Sequence, residues 1–436
     1  MKEKVITAIK WSLYWICIIG VYIAISVTFG NYWLYLPILA LAAIPFLIWC
    51  LFRRFLVKLR YVWIKRIVES LICVLSVILI CVSFYHIVDQ ACPINNRYID
   101  SFDFSTFDSN SEVSYDHQSG VYTVKATDDE LRVLQLTDIH IGGSLSTATS
   151  DRKAFKACYE LIKASQPDLI IVTGDIVYPI AIQTFNRDNL LPMWQFCRFM
   201  NHFGIPWMLV YGNHDTEVLA KYDARTINQL YASFLQEEHC PMLYADVQPD
   251  IYGRYNQYLR LEDRNGRLDR LLFLIDSNDY VKGSFVQEYD SVHADQMAWY
   301  ADTIDVVSKE EGRLVHSFVY MHIPFQAFDD AQQAYYGGQD DVDYLFGLNR
   351  ELVSCPDRDS GFFELIVDKK STEAVFVGHD HLNNAGFTYR GVDLVYSKSI
   401  DYIAYPHIAE TNEQRGATLV TLKNGAYTIE QISYSS

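Results

Sequence analysis

The chain contains 436 residues, of which 50% are hydrophobic and 20% are charged, and its formal net charge is −17 at pH 7. The charge is unevenly distributed, because residues 1–90 carry nine Lys and Arg against three Asp and Glu, a net of +6 that leaves −23 for the remainder. An acidic region of this strength repels polyanions. Nucleic acid is therefore not expected as a partner, and nuclease functions are disfavoured.

The amino-terminal region contains three apolar stretches, at 11–28, 32–52 and 67–88, each close to the length that crosses a bilayer. They predict a region of three transmembrane helices within residues 1–89, with the lipid bilayer as a partner. The segment between the second and third stretches is basic and contains no acid, which places it on the cytoplasmic side. The prediction is thus a multi-pass protein of the cell membrane whose remaining chain is extracytoplasmic. Two spans and an interfacial helix, which would leave that chain in the cytoplasm, stay open.

Residues 90–130 are polar, acidic and rich in serine, and they predict a linker that leads into a possible first edge strand near 121–125. From residue 131 onward, apolar runs typical of buried strands alternate with helical stretches at 153–165, 190–203, 226–235 and 293–307. This alternation indicates a single α/β domain over residues 131–436.

Potential metal ligands follow five of the apolar runs at the point where each run ends. They are Asp138 and His140, Asp175, Asn213 with His214 and Asp215, His322, and finally His379 with His381. In sheets buried on both faces, functional groups gather in the loops at strand ends. Imidazole nitrogens suit zinc, iron or manganese, and a carboxylate such as that of Asp175 can bridge two cations. The repeated pattern predicts a binuclear metal site.

Glycines precede three of these motifs, at Gly174, Gly212 and Gly378. Glycine allows the chain to turn sharply and to approach a ligand or another segment closely. We expect a Cβ at these positions to crowd the site.

The motifs D-x-H, G-D, G-N-H-D, a lone His and G-H-x-H occur here in the order found in the calcineurin-type metallophosphoesterase superfamily, which the chain resembles over residues 131–399. The segments 321–324, 360–363 and 374–381 are similar to its small purple-acid-phosphatase-like branch. The resemblance implies a four-layer α/β/β/α sandwich with two divalent metal ions, Mn, Zn or Fe, at the strand ends.

The resemblance also implies a role for each motif residue. The first metal is held by Asp138, His140, Asp175 and His381, and the second by Asp175, Asn213, His322 and His379. His214 stabilises transition-state charge or protonates the leaving oxygen, with Asp215 orienting its ring. The expected reaction is hydrolysis of a phosphomonoester or phosphodiester, on a small-molecule or lipid-linked substrate, by a hydroxide bound between the two metals.

Two points stay open at this stage. Purple acid phosphatases have a D-x-G first motif and an iron-binding tyrosine in G-D-x-x-Y, whereas this chain has His140 together with Tyr178. We expect Tyr178 to pack in or beside the pocket rather than to bind metal. The alternative function is a non-catalytic membrane sensor or scaffold with a metal-binding extracytoplasmic domain, although His214 and Asp215 argue against a retired site.

Overall fold

The computed structural model describes residues 95–107, 111–282, 288–405 and 414–434, together with isolated positions between residues 15 and 74. These four ranges belong to one of the two units into which the chain divides, Ile94–Ser436. The framework of this unit is a pair of β-sheets, one with nine strands and one with five.

The described strands are numbered in chain order. They are β1 Ser111–Asp116, β2 Val121–Ala126, β3 Glu130–Leu136, β4 Leu169–Thr173, β5 Trp207–Val210, β6 Gln257–Glu262, β7 Leu268–Leu274, β8 His316–Tyr320, β9 Val342–Phe346, β10 Thr372–Val377, β11 Gly386–Tyr389, β12 Val392–Tyr396, β13 Gly416–Lys423 and β14 Ala426–Ser433. The smaller sheet has the order β14-β13-β3-β4-β5, and the larger has the order β1-β2-β6-β7-β8-β10-β12-β11-β9.

Both sheets are mixed, and each contains a block of adjacent parallel strands. In the smaller sheet β3, β4 and β5 are parallel, while β13 pairs antiparallel with β3 and with β14. In the larger sheet β7, β8, β10 and β12 are parallel to one another, and the antiparallel pairs β6–β7 and β11–β12 flank them. Parallel strands end on the same edge of a sheet, so each sheet gathers several strand ends along one rim.

The described helices connect these strands. They are α1 Asn96–Ile99, α2 Ala148–Ser165, α3 Ala181–Thr184, α4 Leu190–Asn201, α5 Ala224–Phe234, α6 Ala294–Glu311, α7 Ala327–Gly337 and α8 Phe362–Lys369. Local chemistry fixes several of their ends. The Asp223 side chain accepts a hydrogen bond from the Thr226 N–H at the start of α5, and α6 ends at Gly312, which has a φ of 68°.

Three apolar cores lie between successive layers of helices and sheets. Alternate residues of one strand contribute to different cores, since side chains on a strand point to opposite faces. In β4, Ile170 and Val172 pack toward α2 and α4, whereas Leu169 and Ile171 pack toward the larger sheet. In β7, Leu271 and Phe273 pack toward α6 and α8, and Leu272 and Leu274 pack between the sheets. The layers run helix, sheet, sheet, helix, and the predicted α/β fold is confirmed.

The segment predicted as a linker with a possible first edge strand near 121–125 contains two strands of the larger sheet, β1 and β2. β1 lies at the edge of that sheet and pairs antiparallel with β2, and β2 pairs parallel with β6. Ahead of them, Ile99 of α1 is buried in the core beneath α2 and α4.

Among the residues that the structure describes, no helix has both the length and the apolar character needed to cross a bilayer. Spanning takes about 20 consecutive apolar residues. The two longest described helices, α2 and α6, have 18 residues each and carry charged side chains throughout. The prediction of a multi-pass membrane protein with an extracytoplasmic domain is corrected by this finding. The three predicted spans themselves lie outside the described residues, apart from isolated positions.

Candidate metal centre

All seven predicted metal ligands lie in loops that follow parallel strands. Three of these loops leave β3, β4 and β5 of the smaller sheet, and two leave β8 and β10 of the larger sheet. The loops carry Asp138 and His140, Asp175, Asn213, His322, and His379 with His381. The site is therefore assembled from both sheets, at the rim where their parallel strands end.

The ligand atoms form two clusters that share Asp175. One cluster contains Asp138, His140, Asp175 and His381, and the other contains Asp175, His322 and His379, with the atoms of each within 4.8 Å of one another. Asp175 Oδ2 lies 3.1 Å from His322 Nε2 and 3.7 Å from His140 Nε2. A carboxylate between two groups of imidazoles is the arrangement that lets one residue bridge two cations.

Asn213 joins the second cluster. Its Oδ1 lies 3.2 Å from His322 Nε2, and its Nδ2 donates a hydrogen bond of 3.1 Å to the hydroxyl of Tyr280. This bond turns the amide oxygen, rather than the nitrogen, toward the imidazoles. The amide oxygen is the end that binds a cation.

Within the described part of the chain, two carboxylate oxygens of the site are buried without a hydrogen-bond partner, Asp138 Oδ1 and Asp175 Oδ2. Nearby, the Nε2 atoms of His140 and His381 face each other at 3.1 Å. Buried acceptors that face one another in this way are costly unless a cation satisfies them. Carboxylate, imidazole and amide oxygen together suit a divalent metal, so the residues fit a binuclear metal centre.

Two of the histidines are oriented by hydrogen bonds at the nitrogen that faces away from the cluster. His381 Nδ1 lies 3.1 Å from Asp401 Oδ2, and His322 Nδ1 lies 2.7 Å from the Thr173 carbonyl oxygen. With Nδ1 as the donor, Nε2 keeps a free lone pair for a metal. Burial opposes ionisation of Asp401, but the hydrogen bond from His381, the charges of His140 and His381 and the backbone N–H of Ile403 together outweigh burial and hold the pKa of this carboxyl well below its usual range.

Four of the ligand residues have left-handed backbone conformations, which residues other than glycine rarely adopt. The φ angles are 53° at Asp138, 54° at His140, 49° at Asp175 and 74° at His379. Each such residue costs on the order of 1–3 kcal/mol, and such residues cluster at functional sites. The surrounding fold sustains this strain, and the strained turns aim the ligands into the cluster.

The glycines before the motifs are required by close packing, as predicted. A Cβ on Gly212 would overlap Asp175 Oδ1, and one on Gly378 would overlap Thr137 Oγ1. Gly174 has a φ of 80°, and a Cβ there would overlap the backbone nitrogen of Gly212. Because these positions bring neighbouring loops together, larger residues would push the ligands apart.

His214 lies at the edge of the clusters and is partly accessible, with 20% of its side chain exposed. Its backbone N–H donates to Asp175 Oδ1 at 2.8 Å, and its ring lies 5.6 Å from the ring of His140. Its Nδ1 lies 2.7 Å from Glu217 Oε2. Burial lowers the pKa of His214, but the negative charges of Asp175 and Glu217 outweigh that effect and raise it.

The expectation that Asp215 orients the His214 ring is corrected, because Glu217 occupies that position. Both carboxylate oxygens of Asp215 accept backbone hydrogen bonds instead, from Asp175, Ile176, Val177 and Gly212, at 2.8–3.1 Å. Asp215 thus ties the loop after β4 to the loop after β5. Burial, followed by the charge of Asp175, raises its pKa.

Four tyrosines surround the centre. The ring of Tyr178 lies 4.9 Å from that of His140 and 4.8 Å from that of His214, edge to face, as expected for a pocket wall. Burial raises the pKa of Tyr178 to about 12. Tyr289 lies 4.8 Å from His379, and Tyr405 lies 4.6 Å from His381. Tyr280, Tyr289 and Tyr405 were not identified from the sequence, because nothing distinguishes them among 31 tyrosines.

The fold and the site define the class of protein. The family model for calcineurin-like phosphoesterases matches residues 131–383, which is more than half of the chain. The chain therefore belongs to this family, and the predicted superfamily is confirmed.

Two similar proteins carry names from the predicted purple-acid-phosphatase branch, and a third is named a phosphatase. The chain is 28% identical over 315 residues to probable inactive purple acid phosphatase 14 of Arabidopsis thaliana, covering 65% of this chain and 73% of the relative. It is 26% identical over 306 residues to probable inactive purple acid phosphatase 29 of the same plant, covering 63% and 73%. Phosphatase DCR2 of Saccharomyces cerevisiae is 25% identical over 284 residues, covering 61% of this chain and 46% of that protein.

Among solved structures, a dimetal phosphatase from Danio rerio overlaps with 71% of this chain and 100% of its own length. The sequence identity is 10% and the TM-score is 0.44.

Proposed function

We propose that the protein is a metal-dependent phosphoesterase that hydrolyses phosphomonoesters or phosphodiesters of a small-molecule or lipid-linked substrate. The observation that carries the proposal is the pair of ligand clusters that share Asp175, with the accessible imidazole of His214 beside them. Metal ligands alone would also be present at a site whose metal only stabilises the fold. An oriented, partly exposed histidine at their edge supports chemistry on a bound substrate.

The proposed ligand sets follow the two clusters. Asp138, His140, Asp175 and His381 would hold one divalent cation, and Asp175, Asn213, His322 and His379 would hold the other. When bound, the cations would polarise a phosphoryl oxygen and lower the pKa of water from 15.7 toward about 7.

His214 is the proposed general acid. Glu217 accepts a hydrogen bond from Nδ1, which leaves Nε2 as the nitrogen that faces a substrate. In the protonated ring, Nε2–H donates to a phosphoryl oxygen and then transfers its proton to the leaving oxygen. Glu217 stabilises the charged ring before the transfer. It also keeps the proton on Nδ1 in place, so that Nε2 alone delivers its proton.

A non-catalytic metal-binding scaffold is the second candidate. It is favoured by the names of two Arabidopsis relatives, which contain the word inactive. The oriented His214–Glu217 pair argues for the enzyme, because a scaffold needs neither an exposed imidazole nor a carboxylate to hold it.

The deciding experiment replaces His214 by Ala in the full chain and measures bound metal and turnover of an aryl phosphomonoester and an aryl phosphodiester with Mn, Zn or Fe supplied. We expect metal content to be unchanged and turnover to fall by about 10²–10⁴-fold. The matched control is His239→Asn, because His239 also pairs with a glutamate, Glu238 at 3.6 Å, but is 89% exposed. Asn tolerates the left-handed backbone of that position, whose φ is 61°.

Equal turnover in His214→Ala and the wild type would contradict the acid assignment. Two bound metals without turnover on either substrate, in the wild type as well, would favour the scaffold.

A further inference from the structure

Arg254 lies beside the metal centre with all five of its side-chain N–H donors hydrogen-bonded. Nε donates to Asp276 Oδ2 at 3.0 Å, and one N–H of Nη2 donates to Asp276 Oδ1 at 2.6 Å. Nη1 donates to the Gly212 carbonyl oxygen at 2.8 Å and to Thr216 Oγ1 at 3.1 Å. The second Nη2 donor contacts the Asn278 carbonyl oxygen at 2.8 Å. Only 11% of the side chain is exposed.

The partners of Arg254 belong to loops from different sheets. Gly212 and Thr216 lie in the loop after β5 of the smaller sheet, on either side of Asn213 and His214. Asp276 and Asn278 lie in the loop after β7 of the larger sheet. The guanidinium therefore bridges the two sheets at the position where a proposed metal ligand and the proposed acid must be held.

The loop after β7 is itself firmly held. The backbone N–H of Asp276 donates to Asn256 Oδ1 at 3.0 Å, and that of Asn278 donates to Asp276 Oδ1 at 2.9 Å. The Asn278 side chain donates to the Ser291 carbonyl oxygen at 2.8 Å and to Gln296 Oε1 at 3.2 Å, at the start of α6. Arg254 thus connects the loop after β5 to the loop after β7, whose own conformation is held by these hydrogen bonds.

We propose that Arg254 is a positioning residue, which fixes the loop 212–216 against the larger sheet and so sets the place of Asn213 and His214. The effect on His214 rests on the proposed function, whereas the effect on Asn213 concerns metal binding alone. Without this bridge, Asn213 would be held opposite His322 and His379 less firmly, since its bond to Tyr280 would be its remaining side-chain hydrogen bond to the loop after β7 of the larger sheet. The second metal would then lose affinity, while the ligands that belong to the first metal alone keep their own supports, such as Asp401 beneath His381.

Lysine cannot replace the bridge. An ammonium offers three donors from one atom, whereas the planar guanidinium offers five in a fixed fork that reaches four residues at once. Arg254 also stacks on the ring of Tyr211, 5.0 Å from its centroid, which a guanidinium does better than an ammonium.

Arg270 provides a matched control at the other end of the larger sheet. It is 1% exposed, contacts Asp269 and Glu373 at 2.8 Å each, donates to the Gly425 carbonyl oxygen at 3.2 Å, and lies 4.4 Å from the ring of Phe318. Like Arg254, it is a buried guanidinium with carboxylate, carbonyl and aromatic contacts, but it touches no loop of the metal centre.

The test compares Arg254→Lys and Arg270→Lys in the full chain by titration with Mn²⁺ and by thermal unfolding. Asn213→Ala, which removes a ligand of the second metal, identifies the binding step that belongs to it. We expect Arg254→Lys to weaken that step by about 10–100-fold and to leave the other step unchanged, as for other groups that orient metal ligands. We expect Arg270→Lys to lower the unfolding temperature and to leave both steps unchanged.

Thr216→Val serves as a milder second variant should Arg254→Lys not fold, because it removes one of the five hydrogen bonds at nearly constant volume. It is expected to weaken the same step by a smaller factor. Unchanged Mn²⁺ affinity at both steps in a folded Arg254→Lys or Thr216→Val protein would overturn the inference. Wild-type protein that binds two Mn²⁺ without turnover would overturn the proposed function only, since the Mn²⁺ titration still decides the role of Arg254.

Discussion

The two ends of the β-sandwich both carry many ionisable side chains, but they differ in how those side chains are paired. At the metal end, Asp138 and Asp175 are buried, and each keeps one carboxylate oxygen without a hydrogen-bond partner in the described structure. At the opposite end, the turns β6–β7 and β13–β14 line a cavity of about 760 Å³. Many of its surface charges are paired, for example Arg264 with Asp129 at 2.9 Å.

This difference shows why neither charge density nor cavity volume identifies the site. Exposed ion pairs are screened by water and have little effect on stability or chemistry. Buried carboxylates that lack a partner are costly, and a fold retains them where a ligand such as a metal ion offsets the cost. The metal end has this property, and the cavity at the opposite end does not.

The largest effect is expected from Asp175→Ala, which removes the carboxylate shared by both clusters. We expect the protein to lose both metals and turnover to fall further than the roughly 10²–10⁴-fold that loss of a general acid causes. Metal content after dialysis and hydrolysis of an aryl phosphate measure this. Asp129→Ala, at the paired end, is the control and should keep two metals. Retention of two metals by Asp175→Ala would show that Asp175 is not the bridge.

An intermediate effect is expected from Glu217→Gln, which removes the negative charge beside His214. Because Glu217 and Asp175 raise the pKa of His214, loss of one of these charges lowers it. The proposed acid works in its protonated form, which is lost as the pH rises through the pKa, so the alkaline limb of the kcat profile should move to lower pH. Activity at acidic pH should change less. Glu238→Gln, beside the exposed His239, should leave the profile unmoved, and an unmoved limb in Glu217→Gln would contradict the pairing.

The smallest effect is expected from Arg264→Ala at the opposite end of the sandwich. Arg264 and Asp129 are 55% and 59% exposed, so the free energy of unfolding should change by no more than about 0.5 kcal/mol. Turnover and metal content should equal those of the wild type. Urea unfolding and an aryl phosphatase assay check this. A large loss of turnover would mean that the cavity takes part in function and would break the comparison.

The strands that carry the ligands were predictable because they are buried on both faces. β4, β5, β8 and β10 contain continuous apolar runs, β3 is apolar between Leu131 and Leu136 apart from Arg132 and Gln135, and all five strands exist. The helices predicted at 190–203 and 226–235 are found at Leu190–Asn201 and Ala224–Phe234. Strands with an exposed face were missed. In β14 exposed and partly buried residues alternate, so its sequence contains no apolar run.

The residues that orient the histidines of the site show a second limit of prediction from the sequence. Asp401 lies 20 residues after His381, and Thr173 lies 149 residues before His322. Nothing near either histidine in the sequence indicates these partners. Glu217 lies only three residues after His214 in the sequence. The family pattern, however, points to Asp215, the residue next to His214, as the group that orients its ring. Only the backbone geometry shows that the Asp215 carboxylate turns toward N–H groups instead.

The sequence by itself determined which residues can bind metal and that they follow buried strands, because ligand chemistry and strand periodicity are local properties of the chain. It also indicated that the glycines before three of the motifs are required, since a close approach of two loops at these positions leaves no room for a Cβ. The tertiary structure decided which carboxylate pairs with His214, which groups orient His322 and His381, and that Arg254 joins the loops of two sheets. These contacts depend on how distant segments meet, because a hydrogen bond is set by distance and direction in space rather than by spacing along the chain.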